Sequence, residues 1–382
     1  MRFDVAIVGA GIAGASLAWA LGVRSGGRLT VALIEMEAQP GYHTTGRSAA
    51  FWVESYGGPG IVPLSRASRA FFMAPPAGFC ERALLSVRPA LHLAPPDDAD
   101  FDGGALAAVA AEFDLGGVDY RWLDAGEVAA SPAGGMMRPE WRTRGILEPD
   151  CHDIDVAALH QGYLRGVGDW KPVLITDAQV SAMRRCGGVW RLETRAGAVE
   201  AAVVVNAAGA WADGVAAMAG ARPRGLQPLR RTMAVLAIDP LPPADLPVVM
   251  DAAGRFYFKP DGGRLWLSPH DETPDVAHDV RPDEMDLAVV IDRFERASTA
   301  RVVRLESSWA GLRTFAPDRL PVFGADGAVD GFFWCAGQGG FGIQTAPAAG
   351  DLCAALVLGE APVVAPGAYL ATRPGLEIGD IG

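Results

Sequence analysis

Three glycines near the start of the chain, Gly9, Gly11 and Gly14, follow an apolar run with the spacing of a phosphate-binding turn. Gly9 suits a tight turn, Gly11 a close approach of pyrophosphate to the backbone, and Gly14 the packing of a helix on a strand. Glu35 closes a second apolar run about 20 residues later, where an acid accepts hydrogen bonds from ribose hydroxyls. The pattern predicts a dinucleotide site, and Glu35 disfavours a 2′-phosphate.

Two further stretches of small residues have the composition of a backbone that runs close to a ligand. The apolar run 203–206 leads into Ala207, Ala208 and Gly209, and small residues let a backbone approach a flat ligand closely. Trp211, just beyond this turn, either covers that ligand or packs in the core. A second cluster of glycines, at 337, 339, 340 and 342, predicts the same close approach late in the chain.

The elements that must position these turns divide into two groups. Helical periodicity at 15–22, 63–73 and 156–166 alternates with apolar strands near the first group of glycines. Residues 226–266 instead carry several short alternating runs, which predict an antiparallel sheet. We therefore predict two domains: a first one formed by residues 1–73, 150–224 and 305–382, and a second one formed by residues 74–149 and 225–304.

Composition excludes several other classes of protein. The 382 residues carry a net charge of −12, which gives no electrostatic basis for binding nucleic acid. The five cysteines are scattered without a C-x-x-C pair, and the six histidines lack metal-ligand spacing, so we expect reduced thiols and no metal. No apolar run reaches the length of a membrane span, and the first strand begins at once. We expect a cytoplasmic protein, with a peripheral contact to the inner membrane left open.

Five segments, in order along nearly the whole chain, resemble the D-amino-acid oxidase superfamily of FAD enzymes: the first glycine unit, 46–50, 205–211, 311–313 and 339–344. Within it, GYHTTGRSAA, ALHQGYLRG and GLQPLRR resemble the D-arginine dehydrogenase branch. The resemblance implies an α/β fold with a Rossmann-like FAD-binding domain and a second, mainly antiparallel β-sheet domain for the substrate. It implies noncovalent FAD, with attachment at Cys335 left open.

The resemblance also implies roles for individual residues. Arg230, Arg313, Tyr257 and Tyr56 would hold a substrate carboxylate, with Gln344 beside them; Arg231, next to Arg230, makes the choice between the two arginines less certain. The positions that would bind FAD are Gly9, Gly11, Ala13, Gly14, Glu35, Met36, Arg47, Ser48, Ala49, Ala50, Val180, Ala208, Gly209, Trp211, Gly340, Gly342, Ile343, Gln344 and Thr345.

Three departures from that branch concern the substrate pocket. Ala90 stands where the arginine-specific enzymes have a glutamate, Phe51 where they have a histidine, and Val53 where they have a threonine. A guanidinium buried among these side chains would lack a charge partner, at a cost of several kcal/mol. We therefore predict oxidation of the Cα–N bond of a neutral or apolar D-amino acid to an imino acid, by hydride transfer to flavin N5.

Several alternatives stay open at this point. The same scaffold serves sarcosine-like N-alkyl amino acids and 2-hydroxy acids, and a noncatalytic flavin-binding subunit is a further possibility. Oxygen and a quinone-like compound are both candidate electron acceptors. No side chain stands out as a general base, so we expect the substrate amine to react in its neutral form after losing its proton to water or to Tyr257.

Overall fold

Two large β-sheets organise the computed structural model of the chain, which describes residues 1–97 and 104–376. The α-helices of the described residues are α1 (Ile12–Ser25), α2 (Val62–Met73), α3 (Ala105–Gly116), α4 (Ala125–Ala130), α5 (Val156–Arg165), α6 (Ala212–Met218), α7 (Glu284–Ala297) and α8 (Ala346–Leu358). The strands are β1 (Arg2–Val8), β2 (Val31–Ile34), β3 (Phe51–Trp52), β4 (Leu85–Val87), β5 (Ala90–Leu93), β6 (Arg121–Leu123), β7 (Gly145–Glu148), β8 (His152–Ile154), β9 (Val173–Ile175), β10 (Val180–Cys186), β11 (Val189–Thr194), β12 (Gly197–Asn206), β13 (Gln227–Asp239), β14 (Val248–Asp251), β15 (Tyr257–Asp261), β16 (Arg264–Ser268), β17 (Thr273–Pro274), β18 (Arg301–Phe315), β19 (Val322–Ala325) and β20 (Phe332–Ala336).

The first sheet has a parallel centre covered by helices. Its order is β10-β11-β12-β1-β2-β9, with β20 parallel to β12 and β19 beside β20. Strands β1 and β2 are buried along almost their whole length, as expected for parallel strands that are covered on both faces. Helices α1 and α8 pack against each other. The loops that follow β1, β2 and β12 therefore meet at one edge, where open α/β sheets bind their ligands.

Packing explains two of the three predicted glycines at this edge. Gly9 has a φ of +105°, and a Cβ there would run into the carbonyl oxygen of Ala207. A Cβ on Gly14 would run into the carbonyl oxygen of Gly9, so α1 packs on the turn only with glycine at this position. At Gly11 the nearest atom to a Cβ is Thr45 Oγ1, at 3.2 Å, and no backbone stands in the way.

The second sheet is mainly antiparallel and carries the substrate side of the site. Its order is β17-β13-β16-β15-β14-β5-β7-β6, with β18 paired to β13 along most of its length. Helix α7 packs on β13, β16 and β18. The register pairs Leu229 with Arg313 and Arg231 with Gly311, so these residues share one face of the sheet. A small third sheet, β3-β8-β4, joins the two halves.

These two sheets confirm the predicted fold class, a Rossmann-like α/β unit with a second, mainly antiparallel sheet. Strand β18 pairs with β13 between Arg301 and Phe315 and so crosses the boundary that we predict at residue 305, which stays a prediction. Residues 98–103 of the predicted second domain and 377–382 of the first lie outside the described residues. The other boundaries stay predictions.

Candidate active site

A trough runs along the carboxyl edge of the first sheet and opens into a cavity beneath the second sheet. The trough and the cavity are continuous, because residues 11, 44, 45, 207 and 209 line both. Among the predicted FAD-binding positions, the trough is lined by Gly9, Gly11, Glu35, Met36, Val180, Ala208, Gly209 and Trp211. The cavity is lined by Gly11, Ala13, Arg47, Ser48, Ala49, Ala50, Gly209, Gly340, Gly342, Ile343 and Gln344.

The trough has an acid at one end and a helix N-terminus near its middle. The carboxylate of Glu35 is buried and accepts hydrogen bonds from the amides of Ala10, at 3.0 Å, and Glu37, at 3.1 Å. Thr45 Oγ1, which our sequence reasoning missed, accepts a hydrogen bond from the amide of Ile12 in the first turn of α1, at 3.0 Å. A helix N-terminus and unobstructed glycine backbone are where a pyrophosphate binds, so these residues fit a flavin dinucleotide.

Two predicted cofactor residues do not line the trough or the cavity. Gly14 packs inside the strand–helix turn, and Thr345 is fully buried with its hydroxyl donating to the carbonyl of Phe341, at 2.8 Å. Both support the walls of the site. Arg47 lines the cavity, but its guanidinium pairs with Asp279 and donates to the carbonyl of Val280, at 3.0 Å.

Two buried arginines occupy one wall of the cavity. Arg313 donates from Nη1 to Tyr56 Oη at 2.6 Å and from Nη2 to Glu272 at 2.9 Å. Arg231 donates from Nε to the carbonyl of Asp271 at 2.8 Å. Arg313 Nε and Arg231 Nη2 are buried without a hydrogen-bond partner among the described residues. Glu272 also lies 3.6 Å from Arg231 Nη2, so one carboxylate faces both guanidinium groups. Because a buried N–H without a hydrogen bond is costly, the two unbonded N–H groups suit this wall to a further anion.

The structure places Arg231, and not Arg230, beside Arg313. Side chains alternate along a strand, and the register of β13 with β18 puts Arg231 and Arg313 on the same face. Arg230 projects from the opposite face and pairs with Asp286 at 2.7 Å. This corrects our expectation for Arg230. Alternate residues of a strand share one face, so pairing β13 with β18 would have shown which of the two adjacent arginines lies on the face of Arg313.

The remaining walls of the cavity are mostly apolar. Tyr257 lies against Phe51, with ring centroids 5.9 Å apart, and its hydroxyl contacts Met233 Sδ at 3.4 Å. Val53 and Met250 complete this surface. No acidic side chain is among the described residues that line the cavity.

Ala90 does not belong to the surface of the cavity. It is fully buried in β5, where it pairs with Val248 of β14 and packs in one apolar cluster with Val53 and Tyr257. Ala90 therefore packs against side chains that line the cavity without lining it itself, and its part in the substrate pocket stays a prediction.

Gln344 holds the loop that carries Tyr56. Its Nε2 donates to the carbonyl of Tyr56 at 3.1 Å and to Ser65 Oγ at 2.9 Å, and its Oε1 accepts from the amide of Val53 at 3.2 Å. These bonds occupy its amide, although the side chain also lines the cavity. Gln344 is thus a positioning residue in this arrangement. Gly340 has a related function, since a Cβ there would run into Tyr56 Oη and Arg313 Nη1.

Sequence reasoning also missed an imidazole in this wall. His270 lines the cavity two residues after β16, in the segment between β16 and α7 that contains the short strand β17, and no motif in the sequence singles it out. Burial and the charges of Arg231 and Arg313 lower its pKa to about 3, so the ring is neutral at physiological pH. Burial and the charge of Arg313 also lower the pKa of Arg231.

A dinucleotide trough that ends at a cavity with two buried arginines fits a flavin-dependent oxidoreductase. The family model described as DAO, FAD dependent oxidoreductase, matches residues 4–356, and the chain belongs to this family. Its cofactor is FAD, and it is an FAD-dependent oxidoreductase.

Two relatives illustrate the range of this family. The chain is 27% identical over 416 residues to hydrogen cyanide synthase subunit HcnC of Pseudomonas aeruginosa, covering 97% of this chain and 96% of that protein. It is 29% identical over 243 residues to mitochondrial dimethylglycine dehydrogenase of Mus musculus, covering 57% of this chain and 27% of that protein. Among solved structures, glycine oxidase of Geobacillus kaustophilus has a TM-score of 0.82 at 24% identity, covering 97% of this chain and 99% of that chain.

Two properties of the described residues bear on other predictions. No helix in residues 1–97 and 104–376 is long and apolar enough to cross a membrane. No three His, Cys, Asp or Glu side chains in those ranges come together as a metal site. The expected absence of a metal, the noncovalent state of FAD and the cytoplasmic location stay predictions.

Proposed function

We propose that this protein oxidises the Cα–N bond of a neutral, apolar D-amino acid to the imino acid, which water then hydrolyses. The observation that carries this proposal is the pair of unsatisfied guanidinium N–H groups, Arg313 Nε and Arg231 Nη2, in one wall of the cavity. A guanidinium fork binds a carboxylate in position and orientation. We assign Arg231 and Arg313 to the substrate carboxylate, with Tyr56 holding Arg313 in place.

The opposite surface supports a neutral side chain on the substrate. Phe51, Val53, Met233, Met250 and Tyr257 are apolar or aromatic, and no acid of the described chain lines the cavity. A cationic substrate side chain would therefore lose its hydration without gaining a charge partner, which costs several kcal/mol. D-Arginine is thus a poor substrate in this proposal. The D configuration rests on the resemblance of residues 41–50 to the D-arginine dehydrogenase branch.

The residues of the chain bind, orient and enclose the substrate. Arg231 and Arg313 fix the carboxylate, and Tyr257 and Phe51 enclose the carbon skeleton and exclude water. When bound, FAD supplies the redox chemistry by accepting the two electrons and the hydrogen that leave Cα. Fixed orientation of the reacting carbon supplies much of the acceleration.

A second candidate substrate class is an N-alkyl amino acid such as sarcosine. The names of two similar proteins favour it: dimethylglycine dehydrogenase, and the iminodiacetate oxidase of Chelativorans sp. BNC1, whose structure has a TM-score of 0.73 at 22% identity. The arginine pair would bind either class, because both carry a carboxylate next to the reacting carbon. Because the similar protein HcnC is named as a subunit, the hypothesis that this chain is a noncatalytic flavin-binding subunit is also tested.

Anaerobic reduction of the FAD-loaded protein tests the proposal. We expect neutral D-amino acids to bleach the oxidised flavin band, while D-arginine, the L-enantiomers and 2-hydroxy acids do not. Bleaching by sarcosine and dimethylglycine alone would favour the second class. A flavoprotein that none of these compounds reduces, even with a co-expressed partner, would overturn the amino acid assignment.

A further inference from the structure

His270 is held in the wall of the cavity by an unusual backbone conformation. Its φ of +56° lies in the left-handed region, where non-glycine residues are uncommon and strain clusters at functional sites. Its amide donates to Ser268 Oγ at 3.2 Å. The ring packs edge-on against Tyr257, with centroids 5.6 Å apart. The imidazole therefore lines the cavity together with the ring of Tyr257.

One side of the ring contacts backbone. A Cβ on Gly254 would lie 3.7 Å from Nδ1 of the imidazole, so this ring nitrogen is the one that faces the backbone of Gly254. A neutral imidazole that donates from one ring nitrogen carries a lone pair on the other. With Nδ1 as the nitrogen beside Gly254, the acceptor is Nε2.

The charged and titratable groups around the ring come from four elements. Arg231 of β13 and Arg313 of β18 disfavour a proton on it, and Glu272 of the same segment opposes them. Tyr257 of β15 packs against the ring. A substrate carboxylate bound to the two arginines would offset their charge, so substrate binding itself makes the imidazole more basic.

Among the described residues that line the cavity, His270 is alone in carrying an imidazole, whose neutral form has a nitrogen lone pair that can accept a proton. The other titratable side chains there are three arginines and two tyrosines, Arg47, Arg231, Arg313, Tyr56 and Tyr257. An amino acid in water carries an ammonium group at neutral pH, and that nitrogen must lose a proton before the Cα–N bond becomes an imine. The ammonium is on the carbon next to the carboxylate that the arginines hold.

We propose that His270 accepts the proton of the substrate ammonium. This inference rests on the proposed function. In this step one N–H bond of the ammonium breaks, its electron pair stays on the substrate nitrogen as the amine lone pair, and the proton binds Nε2 of the imidazole. The imidazolium returns the proton to solvent after the product leaves. The balance is one ammonium and one imidazole giving one amine and one imidazolium.

The test compares His270→Asn with the wild-type holoenzyme. Asparagine tolerates a positive φ and does not titrate, so the change removes the proton acceptor with little added backbone strain. His278→Asn is the matched control, because His278 belongs to the same segment but is half exposed and pairs with Asp275. Two readouts are measured: the Kd of propionate, from the perturbation of the flavin spectrum, and the limiting rate of anaerobic reduction by a neutral D-amino acid between pH 6 and 10.

We expect the propionate Kd of His270→Asn to stay within about threefold of wild type, since the arginines are intact. The reduction rate should fall about 10²-fold at pH 7 and approach wild type near pH 10, where the free amine needs no acceptor. His270→Ala should show the same loss, and added imidazole should restore part of the rate. His278→Asn should match wild type.

Other results overturn one proposal or both. Wild-type propionate binding and amino acid reduction with an unchanged pH profile in both His270 variants would overturn the role of His270 alone. A wild-type holoenzyme that neither binds propionate nor is reduced by any amino acid would overturn the proposed function, and this inference with it.

Discussion

The two ends of the site are built in different ways. At the dinucleotide end, Gly9, Gly11 and Glu35 lie within one strand–helix–strand unit, and the site is formed mainly by backbone groups. At the carboxylate end, Tyr56, Arg231, Tyr257, His270 and Arg313 come from separate elements far apart in the chain and act through side chains. Local sequence therefore specifies the first end, and strand register specifies the second.

The largest expected effect separates the two adjacent arginines. Arg231→Gln should lower kcat/KM by about 10²- to 10³-fold, because a buried charge partner of the substrate is lost. Arg230→Gln, the same change one residue away, should stay within about fivefold, since it removes ion pairs with Asp286 and Asp271 on the face away from the cavity. Steady-state kinetics with the best amino acid substrate measure both. Equal losses in the two variants would contradict the assignment made from the register.

Two glycine substitutions should each affect a different end of the site, Gly14→Ala the dinucleotide end and Gly340→Ala the carboxylate end. Gly14→Ala forces a Cβ onto the backbone of Gly9 and should cost about 1–3 kcal/mol of stability, with loss of bound FAD. Gly340→Ala pushes on Tyr56 and Arg313 and should keep FAD while weakening propionate binding about tenfold or more. The flavin-to-protein absorbance ratio and propionate titrations distinguish them. Loss of FAD from both variants would show that the two ends are not separable.

Acid should lower the free energy of unfolding through His92, a buried residue of the second sheet. Burial lowers the pKa of His92, on β5, to about 4, so the unfolded chain binds more protons than the folded one between pH 6.5 and 4. Stability is therefore lost as the pH falls through this range. His92→Phe should remove about 2 kcal/mol of the difference in unfolding free energy between pH 7.5 and 5. Denaturant unfolding at both pH values measures this, with His278→Phe as an exposed control that should change nothing.

The smallest expected effect concerns the acid of the dinucleotide end. Glu35→Gln keeps the size of the side chain but removes the negative charge of its carboxylate. That carboxylate accepts a hydrogen bond from the amide of Ala10, and we expect it to accept others from the ribose hydroxyls. FAD binding should weaken about tenfold, and the propionate affinity of the loaded enzyme should not change. Glu37→Gln is the control, because its backbone amide contact with Glu35 is retained. Fluorescence titration of FAD decides between them; equal weakening in both variants would contradict the role of Glu35.

The helices and the strands of the first sheet could be predicted closely from the sequence. Residues 156–166 were predicted as a helix and the structure has Val156–Arg165, because the apolar period of 3.6 is local. The pairing of residues 305–315 with β13 was not predicted, since nothing local marks which sheet a long strand joins. Gly340 was linked to the cofactor alone, while its contact with Arg313 depends on a loop far away in sequence.

The sequence by itself determined the α/β fold, the glycine turns and Glu35 of the dinucleotide end, because turn geometry and periodicity depend on neighbouring residues. Only the tertiary structure decided that Arg231 and not Arg230 faces the cavity, that Ala90 does not line it, and that His270 does. Strand pairing decides which face of the sheet a side chain lies on. Burial beside two guanidinium groups keeps the imidazole of His270 neutral. Both are set by residues distant in the chain.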